Sequence, residues 1–122
     1  NERANGAIYL AGLALECLLK ARLIERYRWL QSPGDVSIRS PSEKEIFGLC
    51  YRYHDLERLL TLLPNVRERL VEVDRTGRLL QSLQQMCGEW SIFVRYSPVS
   101  VTMQDAERFL NKLKELRKWL GH

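Results

Sequence analysis

The sequence predicts an all-α protein: a helical bundle of four main helices plus one or two short helices. Three observations carry that prediction. Apolar residues recur at three- and four-residue intervals along most of the chain. The periodic runs open on capping residues and close on Pro or Gly. No segment of useful length alternates apolar and polar residues as a half-buried strand would. A length of 122 residues suits one hydrophobic core, so 1–122 is expected to form a single domain.

The first helix is expected from Ala4 to Leu30, a stretch without Pro, with Ile8, Ala11, Leu15, Leu19 and Leu23 among its apolar residues. Small residues such as Ala7, Ala11, Gly12 and Ala14 let neighbouring helices come close, and Ser32-Pro33-Gly34 stops the run. Ser40, Pro41 and Glu43 supply an N-cap, a first-turn Pro and a capping-box acid for a short helix to about Leu49. Asp55 caps the next, whose Leu56, Leu59, Leu60 and Leu63 precede an interruption at Pro64-Asn65; Val66 to Val73 is expected to be helical as well. Leu79, Leu83, Met86, Trp90 and Phe93 define a second core helix to about Arg95, followed by a break at Ser97-Pro98. Thr102 and Asp105 form a capping pair for the final helix, whose stripe is Ala106, Phe109, Leu113, Leu116 and Leu120, with Gly121 ending it.

Composition narrows the function classes. The longest apolar run, Ala7 to Leu15, is closed by Glu16 and falls far short of the roughly 20 residues a membrane span needs. That run also lacks the basic leader and cleavage site of a signal peptide, and the missing initial Met points to a chain truncated at its N-terminus. Cys17, Cys50 and Cys87 have neither paired nor metal-ligand spacing, so free thiols and a cytoplasmic location are expected. The chain has no phosphate loop, dinucleotide fingerprint or nucleophile elbow, and its histidines are His54 and His122 alone; no metal and no cofactor are expected. A net charge of +4 permits an acidic partner without specifying one.

Five residues stand out as candidates for binding. Glu16 and Lys20 are four apart, acid before base, on one helix face; this is either a surface ion pair or a polar contact within an apolar setting that demands a partner for each charge. His54 precedes the cap Asp55 and is either a turn residue or, with Arg52 and Tyr53, part of a phosphate- and base-contacting cluster. Arg95 and Tyr96 end the second core helix, where an Arg suits the helix dipole and an Arg–aromatic pair also suits phosphate and base. Arg108, Lys112, Lys114, Arg117 and Lys118, interspersed with Glu107 and Glu115, read as a solvated face.

The order YLAGLALECLLK (Tyr9 to Lys20), then His54-Asp55-Leu56, then Arg95-Tyr96 before Pro98, then a terminal helix, resembles the HEPN family across nearly the whole chain. The resemblance implies an HEPN-like helical bundle, a homodimer, association with a minimal nucleotidyltransferase, and a nucleotide or RNA as ligand in a toxin–antitoxin or defence setting. Nuclease branches of that family pair an Arg with a His four to six positions on. Here Val99, Ser100 and Val101 stand in those places with Thr102 after them, and the next His is His122. The resemblance therefore implies a noncatalytic binding module using Glu16, Lys20, His54, Arg95 and Tyr96. The alternatives are a divergent metal-independent ribonuclease with His54 as substitute base, and a dimerisation domain only.

Overall fold

A computed structural model of the protein describes residues 2–96 and 101–120, without the side chains of residues 95 and 96. The described residues form six α-helices and no strand: α1 (Glu2–Arg26), α2 (Pro41–Tyr51), α3 (Leu56–Thr61), α4 (Pro64–Val73), α5 (Arg78–Tyr96) and α6 (Met103–Leu120). Short 3-10 turns at Arg28–Gln31 and Val36–Ile38 lie in the long link between α1 and α2. The expected break at Ser97-Pro98 and the stop at Gly121 fall outside the described residues, as do Val99, Ser100 and His122.

Local chemistry accounts for most helix starts. The Ser40 hydroxyl accepts from the Glu43 N–H at 3.2 Å while the Glu43 carboxylate reaches back to the Ser40 N–H at 3.4 Å, a complete capping box ahead of Pro41. Asp55 caps α3 by accepting from the Arg58 N–H at 3.0 Å. Thr102 and Asp105 exchange backbone-to-side-chain bonds of 3.0 and 3.1 Å at the start of α6. The turn before α5 uses Gly77 at φ 79°, a left-handed position that costs glycine little.

One boundary differs from expectation by a full turn. The first helix ends at Arg26 rather than Leu30, because Tyr27 leaves helical geometry and the following turn folds Leu30 into the core, where it is fully buried. Tertiary contacts hold that bend. The Tyr51 hydroxyl donates to the Leu30 carbonyl at 2.6 Å, and the Arg39 guanidinium lies 4.0 Å from the centre of the Trp29 ring.

Helix α1 is central, packing most extensively against α6 and also against α3 and α5. Its inward stripe is Ala4, Ile8, Ala11, Leu15, Leu19 and Leu23, meeting Leu56, Leu59, Leu83, Met86, Trp90, Phe109 and Leu116 in one core. Trp90 sits directly over Gly12, in the space a Cβ there would occupy. Opposite the core, α1 stays apolar: Leu10 is 66% exposed, and Ala14, Cys17 and Ala21 are exposed after it at helical spacing. No described helix is long and apolar enough to cross a membrane.

The cysteines are unpaired, Cys17 exposed and Cys50 and Cys87 buried. Burial raises the Cys50 thiol above its ordinary value and pushes Cys87 up to about 12, which suppresses both thiolates at neutral pH. Titration of the native protein with a chromogenic disulfide should therefore show one fast thiol, lost in Cys17→Ser, with the other two released only by denaturant. Two or three fast thiols in the folded protein would contradict this burial.

Candidate functional site: a buried carboxylate with a lysine and a histidine partner

Glu16 lies on the flank of α1 that faces the segment between α2 and α3, and it is 4% exposed. A carboxylate removed this far from water needs charged or hydrogen-bonding partners. Two supply them. Lys20, one turn on, places Nζ 3.4 Å from Glu16 Oε2. His54, thirty-eight residues away, places Nδ1 2.9 Å from both carboxylate oxygens.

The segment carrying His54 is fixed at several points. The Gly48 carbonyl accepts from both the Arg52 and Tyr53 N–H groups at 2.8 Å, closing α2. The Tyr53 ring then folds back over Gly48, into space that any side chain there would need. Lys20 Nζ donates to the Tyr53 carbonyl at 3.1 Å, and Asp55 begins α3. His54 is thus held between a backbone anchored to α1 and a helix cap. Asp55 acts as the expected N-cap; His54 is more than a turn residue, because its ring is bonded to Glu16.

This geometry sets what each group can offer. The Glu16 carboxylate can only accept when ionised, so bonding at Nδ1 assigns the proton there and leaves Nε2 as the second ring nitrogen. The His54 side chain is 60% exposed. Lys20 has three N–H donors, of which Glu16 and Tyr53 occupy two. Tyr53, 55% exposed, adds an aromatic surface beside them. Arg52 lies 5.4 Å from the centre of the Phe47 ring, a cation–aromatic contact within α2 and its end.

Of the five candidates, Glu16, Lys20 and His54 come together. Arg95 and Tyr96 form the last residues of α5, and their side chains lie outside the described residues. Their backbone is not beside the cluster. Trp90 sits at Gly12 and Phe93 shares a cavity wall with Ile8, so α5 runs towards the N-terminal end of α1 while Glu16 lies the other way, roughly 10 Å or more from Arg95 along the axis. Sequence reasoning missed the Tyr53 carbonyl and the Gly48 seat beneath its ring; the signal was a glycine inside a helix five residues before an aromatic. Among the described residues, no group of three or more metal-ligating side chains is assembled.

Comparison with known proteins finds no matching family model, no matching curated protein and no matching solved structure.

Proposed function

We propose that the chain is a noncatalytic HEPN-like module that binds a nucleotide, RNA or a nucleotidyltransferase partner in a toxin–antitoxin or defence system. The observation carrying this reading is the buried Glu16, which orients Lys20 and His54 at a surface bearing Tyr53. A spare ammonium donor suits a phosphate, as does the Nε2–H of His54 when the ring carries both protons, and an exposed aromatic ring suits a base. Arg95 and Tyr96 enter through the family resemblance and add a second contact region on a ligand long enough to span both.

Titration with ATP and with short single-stranded RNAs tests this. Lys20→Met and His54→Ala should each weaken binding by about tenfold, the loss of one charge-assisted hydrogen bond, and Arg95→Ala should weaken RNA more than ATP. If neither ATP nor RNA binds the wild-type chain, only the protein-partner form survives. The ribonuclease reading is favoured by one observation, the carboxylate-oriented His54 ring on a largely exposed side chain. In that reading Nε2 takes the proton from a ribose 2′-hydroxyl, whose oxygen attacks the adjacent phosphate and expels the 5′-oxygen, which takes a proton from water and leaves as a 5′-hydroxyl, the other product being a 2′,3′-cyclic phosphate. Metal-free cleavage of the same RNAs that is lost in His54→Ala would select it over the binding module.

The outer face of α1 supports the homodimer. Leu10, Ala14, Cys17 and Ala21 leave an apolar strip in water, bordered on the α6 side by Lys114 and Arg117, which a second copy would cover. Leu10→Glu should convert a dimer to a monomer by light scattering while leaving the circular dichroism unchanged. A wild type already monomeric at high protein concentration would remove the proposal.

A further inference from the structure

A cavity lies between α1, α5 and α6, and Glu16, Lys20 and His54 take no part in it. It has a volume of about 370 Å³ and is walled by Ile8, Trp90, Phe93 and Phe109, with Asp105, Arg108 and Lys112 of α6 among its polar lining. The size lies in the roughly 300–1,000 Å³ range of small-ligand pockets. The apolar walls are rigid where they belong to the core: Trp90 is 1% exposed, Phe109 5% and Ile8 8%.

The charges at the cavity are not equivalent. Hydrogen bonds from Thr102, the backbone N–H first, hold the Asp105 carboxyl below its ordinary value, so it is ionised; Arg108 lies 3.8 Å from it. Glu89 is exposed and solvated. Lys112 differs from all three. It is half-buried, and it has no hydrogen-bond or ion-pair partner among the described residues. A half-buried lysine on the lining of an aromatic-walled cavity, with its neighbouring cation already facing a carboxylate, leaves a place for an anion.

We infer that this cavity binds a small aromatic anion, with its ring against Phe93 and Ile92 and its anionic group on the Lys112 ammonium. The site is separate from the Glu16 cluster: Ile8 precedes Glu16 by eight residues, about 12 Å along α1. Its occupancy does not depend on whether that cluster binds RNA.

The test is calorimetric titration of the whole chain with 1-naphthoate, its neutral analogue 1-naphthalenemethanol and the cation 1-naphthylmethylammonium. Naphthoate should bind about tenfold more tightly than the alcohol, and the cation more weakly than either. Lys112→Gln should abolish the preference for naphthoate while leaving alcohol binding unchanged, which also reports an intact cavity. Lys114→Gln, at the apolar groove between α1 and the opposite side of α6, serves as control and should change neither. Equal affinity for anion and alcohol, tighter binding of the cation, no binding of any naphthyl compound, or a loss in Lys114→Gln instead of Lys112→Gln would each overturn the inference.

Discussion

Gly12→Ala is expected to destabilise the protein by about 3 kcal/mol, against the usual direction of that substitution. Inside a helix, replacing Gly by Ala normally stabilises by about 0.5–1 kcal/mol. Here the added methyl would occupy the place of the Trp90 indole, which is 1% exposed and surrounded by core. Either α5 moves off α1 or the indole leaves its rotamer, and overpacking of this kind costs about 1–3 kcal/mol or more. Gly6 gives the internal contrast. It lies on the same helix, is exposed, and a methyl added there would meet nothing within 4 Å, so Gly6→Ala should be neutral to stabilising. Urea denaturation of both variants decides the matter, and Trp90→Phe in the Gly12→Ala background should recover part of the loss. A Gly12→Ala protein as stable as wild type would show that the indole is not locked in place.

The second large effect is expected at Lys20. Lys20→Met removes the backbone-anchored cation from Glu16 and leaves the Tyr53 carbonyl without the ammonium that holds it. Losing hydrogen bonds to a charged group costs about 1.5–3 kcal/mol, and leaving a buried carboxylate undercompensated adds to that. His54→Ala should cost less, about 1 kcal/mol, because its ring is largely in water and Lys20 remains. Replacing both charges, as Glu16→Leu with Lys20→Met, removes the group that needed compensation and should recover most of the stability. A double-mutant cycle measured by denaturant reads the coupling directly. Simple additivity of the two single losses would mean that Glu16 is solvated well enough to need no partner.

These expectations also show which parts of the molecule were legible in the sequence. The starts of α2, α3 and α6 were, because a cap acts on N–H groups two or three residues away: Ser40 with Glu43, Asp55 with Arg58, Thr102 with Asp105. The end of α1 was not, because Tyr51 and the core decide where Leu30 turns inward, and no local pattern contains them. Glu16 and Lys20 could be paired from helical spacing alone. His54 could not be joined to Glu16 by spacing across thirty-eight residues; only motif order grouped them. Lys112 read as one of several solvated basic residues because the sequence does not show that Trp90, Phe93 and Phe109 build a cavity beside it. Gly12 carried a faint signal, an isolated glycine in an otherwise good helix, whereas its partner seventy-eight residues later left none.

The packing of α1 against α6 has a consequence for the order in which the chain assembles. Helices α5 and α6 are joined by a short connection and can meet early, as can α3 and α4. The most extensive helix pair of all unites the earliest described helix with the latest, across the longest loop the chain offers. Closing such a loop loses entropy before any contact repays it. During synthesis α3 and α5 can cover part of the α1 stripe first, but the part that meets α6 stays uncovered until that last helix has emerged.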